Sequence, residues 1–247
     1  MHSVGFAGLA RRIIVGGVGE SFEGVSALSI GLRLNGQAPR RGLMRRPAAP
    51  NELAAQIEAW LRSEAPDVVR SVLLDAEEAS AVLLRASFHP AAPDVEIRLG
   101  GAGRVAASAP TSAMGPGYHT WISRLFRRLR SELSIDWRPS KADAPPEDDT
   151  GYFRTDDRVA AQRGHLRWLH AELQRIADPR SRRRGPVHLG SFPGHRFEID
   201  AALVTSLGPR SAEWLTGALA SPRQAIDVWP WAADAMDARY LLDRCCA

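Results

Sequence analysis

Apolar and polar residues alternate over 28–35, where Leu28, Ile30, Leu32 and Leu34 interleave with Ser29, Gly31, Arg33 and Asn35. That period of two is the signature of a half-buried strand. Upstream, the β-branched run 12–18, broken by Gly16 and Gly17 and ended by Gly19, predicts a short buried strand entering a turn. The period then lengthens. Asn51 follows Pro50 as an expected N-cap, and Leu53, Ile57, Trp60 and Leu61 share one helical face until Pro66 stops the pattern. Extended segments are predicted at 82–89 and 94–99, the second folding back through Gly100, Gly101 and Gly103 as a hairpin with 104–109.

Gly115, Pro116 and Gly117 lead into the most strongly patterned helix of the chain. Trp121, Ile122, Leu125, Phe126, Leu129 and Leu133 form its apolar face, and Arg124, Arg127, Arg128 and Arg130 its polar one. After the polar loop 139–150, Asp156 or Asp157 is placed to cap a second long helix that buries Val159, Leu166, Leu169, Leu173 and Ile176. Further strands are expected at 187–189 and 197–204. Ser211 is expected to cap a helix reaching Leu219, and Asp234 a last one. This order lacks the regular strand–helix alternation of a doubly wound parallel sheet. It predicts an α+β fold: a mixed or antiparallel sheet covered by amphipathic helices in a single domain spanning 1–247, with flexible loops near 36–50 and 139–150.

Composition narrows the function classes. With 45% hydrophobic and 24% charged residues in 247, the chain has the material for a core without metals or disulfides. The net charge of +4 suggests nucleic acid less than it first seems, because Lys141 is the only lysine and arginine dominance points to a GC-rich bacterial genome. Cys245 and Cys246 are adjacent, so they neither staple distant segments nor supply a structural zinc site; a reducing cytoplasmic setting is expected. The pair Arg11–Arg12 resembles the start of an export signal, but Glu20 ends the following apolar run early, and no run approaches the ~20 apolar residues that span a bilayer. No membrane association, metal or cofactor is expected.

Several motifs fall short of their chemistry. Residues 19–26 have the glycine spacing of a phosphate-binding loop, yet Val25 stands where lysine neutralises the phosphates; Phe22 stands where a dinucleotide fingerprint needs its third glycine. His165 and His170 are five apart, off the spacing of a helical zinc pair. His188 and His195 flank a glycine- and proline-containing loop, and there is no nucleophile elbow. The best anion-cradle candidate is the small-residue loop that opens the arginine-faced helix, with Gly115, Gly117, Tyr118 and His119 at a helix N-terminus that attracts negative charge. His119 is the candidate acid or base there; the commoner role for such residues is shaping and capping the turn. Asp148, Asp149, Asp156 and Asp157 are the carboxylates available to orient it, with nothing in the sequence bringing one of them to the ring.

Three functions are therefore expected in order. The first is a non-catalytic accessory module that binds another protein, through Trp229 and Trp231 if those rings are exposed, or through the arginine faces of Arg124, Arg127, Arg128, Arg182, Arg183 and Arg184. The second is an enzyme acting on a phosphate- or carboxylate-bearing substrate at 115–120. The third is nucleic-acid binding without sequence readout, through the same arginines.

Overall fold

The computed structural model describes residues 29–41, 46–78, 81–138, 147–178, 187–189, 203–205 and 208–233. The strand expected at 12–18, the helix expected from Asp234, and Arg182, Arg183 and Arg184 lie outside them. A six-stranded antiparallel sheet organises the fold. It is built from β1 (Gly31–Gln37), β4 (Ser71–Glu78), β5 (Ala81–Ser87), β6 (Val95–Gly100), β7 (Arg104–Pro110) and β8 (Asp136–Arg138) in the order β4-β5-β6-β7-β1-β8. Two-residue strands β2 (Arg40–Arg41) and β3 (Arg46–Pro47) pair with each other, and β9 (Val187–Leu189), β10 (Leu203–Thr205) and β11 (Gly208–Arg210) form a small mixed sheet. The α+β class read from the element order is the one found.

The alternating pattern decides the faces. Leu32 and Leu34 of β1, Ile97 and Leu99 of β6, and Val105 and Ala107 of β7 are buried on one side, while Arg33, Asn35, Arg98 and Ser108 are exposed on the other. Helices α1 (Pro50–Glu64) and α2 (Pro116–Leu133) cover the apolar side, joining the sheet in one core through Leu53, Ile57, Ile122 and Phe126. The predicted hairpin is β6–β7, turned through Gly101–Gly103 with Gly103 at a φ of 76°.

Three expectations need correction. Asn51 is not the α1 cap: the helix begins at Pro50 with Ala49 before it, because proline's fixed φ suits the first helical position and its missing N–H costs nothing there. Strand β4 escaped the periodicity reading, since Val72 is buried while both Leu73 and Leu74 stay exposed, which blurs the alternation. Val159, expected inside, is 61% exposed on α4 (Arg158–Ala177). Asp157, not Asp156, caps α4 by accepting the Ala160 N–H at 3.0 Å; Asp156 instead follows the short α3 (Tyr152–Thr155). Ser211 caps α5 (Ala212–Ala220) as expected, accepting from Trp214 N at 3.1 Å.

A second apolar cluster joins α4, α5 and the 3-10 helix Pro222–Val228 through Leu169, Leu173, Leu215 and Val228. Trp229 packs into this cluster and Trp231 into the sheet core, so the Trp-Pro-Trp segment ties the two together. No helix among the described residues is long and apolar enough to cross a membrane.

Candidate functional site

The loop between β7 and α2 carries Thr111, and the first turn of α2 carries His119; both are fully buried. The Ile30 carbonyl accepts the Thr111 N–H at 2.9 Å and the Ser112 N–H at 3.1 Å, which occupies its two lone pairs. The Thr111 hydroxyl hydrogen is therefore assigned to His119 Nδ1, 2.8 Å away, rather than to the same carbonyl at 3.2 Å. The ring's own hydrogen then sits on Nε2, which faces Asp148 Oδ1 at 3.1 Å and Thr150 Oγ1 at 3.0 Å. Asp148, Nε2–H, Nδ1 and the Thr111 hydroxyl thus stand in the carboxylate–imidazole–hydroxyl order of an acyl-transfer relay.

Asp148 is saturated. Besides His119 it accepts the N–H groups of Thr150 at 2.7 Å and Phe153 at 2.6 Å and the Thr150 hydroxyl at 2.8 Å. Burial alone would raise its pKa, but the hydrogen bond from His119 and the two backbone donors outweigh it and hold the carboxyl down at about 2. His165 of α4 lies against His119 with ring centroids 5.3 Å apart. Its Nδ1–H donates to the Ala161 carbonyl at 3.0 Å, and its buried Nε2 has no hydrogen-bond partner among the described residues. Burial, then repulsion from His119 when that ring is protonated, push His165 down to about 3. No group of three or more metal-ligating side chains occurs among the described residues.

What the relay lacks is access. Thr111, His119, Asp148 and His165 are all buried, and none of them lines a described cavity. The expected anion cradle is filled from within the chain: Tyr118 N–H donates to the Trp231 carbonyl at 3.3 Å, Trp231 N–H to Met114 O at 3.0 Å, and Trp229 Nε1–H to Ser112 O at 3.1 Å. Gly115, at a φ of 102°, lies so close to Trp229 that a Cβ would stand 2.7 Å from the tryptophan's own, and a Cβ on Gly117 would overlap the Ala233 carbonyl oxygen. Gly115, Gly117, Tyr118 and His119 therefore receive segment 229–233, where an open loop for an anion was expected. Trp229 and Trp231 are correspondingly buried, and their rings are not surface anchors.

The α2 arginines are also committed internally. Arg128 pairs with Glu64, Arg127 with Asp156 at 2.9 Å while stacking over Tyr152, and Arg124 Nε donates to the Tyr152 hydroxyl at 3.3 Å. Sequence reasoning named Asp148 among the available carboxylates but expected none at the ring; the fold delivers it across 29 residues of sequence. Thr150 was not singled out and His165 was weighed only as a zinc ligand with His170, because a buried network leaves no local spacing to read.

The open site lies on the other side of the Trp-Pro-Trp segment. A groove of about 340 Å³ runs between α4 and the 3-10 helix, walled by Pro116, Leu166, Trp229 and Ala232, with the exposed Val159 and Ile226 on its sides. Gln162, Arg163 and Arg223 complete it, and among the described residues no acidic one lines it. Among the described residues neither arginine forms an ion pair, unlike Arg124, Arg127 and Arg128, each held by a partner. No protein family, curated protein or solved structure matches this chain.

Proposed function

We propose that the chain is a non-catalytic protein-interaction module whose groove between α4 and the 3-10 helix takes an apolar, acid-bearing segment of a partner protein. The observation that carries this reading is the pairing, in one concave surface, of exposed Val159 and Ile226 with Arg163 and Arg223, two cations without a carboxylate partner among the described residues. Exposed apolar residues in a concavity supply the burial term, and unpaired guanidinium groups select a carboxylate by bidentate hydrogen bonding. The lone lysine among 32 basic residues supports a GC-rich bacterial source, and the two adjacent cysteines a reducing, cytoplasmic setting.

Selection from a displayed random-peptide library tests the proposal. Enriched peptides are expected to join a bulky apolar side chain to Asp or Glu, and to lose binding to the Arg163→Glu, Arg223→Glu double variant at unchanged melting temperature. Peptides without acidic residues, or equal binding to the variant, would overturn it. The enzyme reading keeps one favourable observation, the Asp148–His119–Thr111 order. It requires Thr111 to be reachable, so labelling of Thr111 by a fluorophosphonate in the folded chain would revive it. The nucleic-acid reading is weakened by the internal pairing of Arg127 and Arg128.

A further inference from the structure

The two edges of the main sheet are built differently. On one side, β8 is three residues long and presents the charged, exposed Asp136 and Arg138, with Trp137 turned into the core. Short length and charge are the usual devices that keep an edge from pairing with another chain. On the other side, β4 is eight residues long, and no strand among the described residues pairs with its outer edge. Leu73 is 56% exposed and Leu74 45% exposed. They point to opposite faces: Leu73 is registered with Arg85 on the open face, Leu74 with the fully buried Leu84 on the helix-covered face. Among the described residues the apolar core face therefore continues to the outermost strand, where Leu74 is left half-exposed.

We infer that the chain pairs with a second copy of itself along β4, joining two six-stranded sheets into one continuous antiparallel sheet. A twofold axis perpendicular to the sheet makes identical edge strands antiparallel and keeps all helices on one side, so residues facing each other across the junction share a face. Centring the axis on Leu73 sets Leu73 against Leu73 of the second copy on the open face. It also sets Val72 against Leu74 of the second copy on the core face, and Ser71 against Asp75. All three apolar residues then meet apolar residues, and no like charges are opposed. Moving the axis to Leu74 places Leu73 against Asp75; moving it to Val72 places Arg70 against Leu74. The Leu73-centred register is the self-complementary one, and opposed apolar pairs are what stabilise a sheet junction. A strand of this length offers a junction only about 26 Å long. The area covered stays below the ~800 Å² per partner of a standard interface, so the dimer is weak and concentration-dependent.

Sedimentation velocity on the full chain over a range of concentrations is the first test, with reversible dimer formation in the micromolar range as the expected result. Leu73→Lys opposes two ammonium groups at the centre and is expected to leave only monomer; Leu73 is largely exposed, so the variant folds, as its circular dichroism melt will confirm. In a background with Cys245 and Cys246 replaced by Ser, Leu73→Cys is expected to form an intermolecular disulfide under mild oxidation, and Asp75→Cys is not. A chain that is monomeric at every concentration, a dimer that survives Leu73→Lys, or cross-linking at 75 in place of 73 would overturn the inference. None of these readouts involves the α4 groove, so the groove proposal stands or falls separately.

Discussion

Two regions meet at the Trp-Pro-Trp segment and divide the features of a functional site between them. On the inner side, Thr111, His119, Asp148 and His165 hold the reactive side chains, in hydrogen-bonding order, all of them buried. On the outer side, the groove between α4 and the 3-10 helix holds accessible apolar surface and two cations, with no ion-pair partner for either and no acid, base or nucleophile in its lining among the described residues. Trp229 belongs to both: its indole N–H ties down the loop that carries Thr111, and its ring walls the groove. A catalytic-looking constellation and a usable surface are thus separate things in this molecule. The first is a lock that lets 147–150, α2 and segment 229–233 share one interior. The second is what that lock leaves displayed.

The lock breaks most severely at its carboxylate. Asp148→Ala removes the acceptor for His119, Thr150 and the Phe153 N–H at once and leaves buried donors unpaired, so a loss of about 3–5 kcal/mol is expected in urea unfolding. A loss below about 1 kcal/mol would mean that water already reaches the site, and would favour the enzyme reading. Gly117→Ala comes next. Its Cβ meets a backbone carbonyl, which has no rotamer to escape into, and a loss of about 3 kcal/mol is expected by the same measurement.

How much of this was legible in the sequence follows from what each feature depends on. Local patterning placed α2, the β6–β7 hairpin and the Ser211 cap, because periodicity and turn chemistry act within a few residues. It misread Gly115 and Gly117, because small residues before a helix look the same whether the space beside them receives a ligand or the chain's own tryptophans. It misplaced Val159, which sits at the spacing of a buried position but lies where the helix face has nothing packed on it. The lock itself joins Ile30, Thr111, His119, Asp148 and His165, residues drawn from five segments, and only packing assembles them.

Proton binding separates lock from groove without touching the chain. His165 is buried neutral with its pKa depressed to about 3 from an ordinary value of 6.5. The unfolded chain therefore takes up a proton below 6.5 that the folded chain refuses, and stability falls as pH drops from 6.5 towards 3 by up to about 1.4 kcal/mol per unit. Asp148 adds a second decline only below its ordinary 3.8, as pH falls towards 2. In His165→Phe the slope between 6.5 and 4 is expected to flatten while the Asp148 region stays. An unchanged slope in that variant would place the acid sensitivity elsewhere.

The smallest effect on stability is expected at the groove, and there it is the informative one. Val159 is already 61% exposed, so Val159→Ser gives up little burial, and its unfolding free energy should stay within about 0.5 kcal/mol of the parent. Binding of an acidic–apolar peptide should nevertheless weaken, since the methyl groups on the groove side are what such a ligand covers. Stability lost with binding would show that Val159 serves the fold. Binding lost alone would show that the groove is surface held open for another molecule.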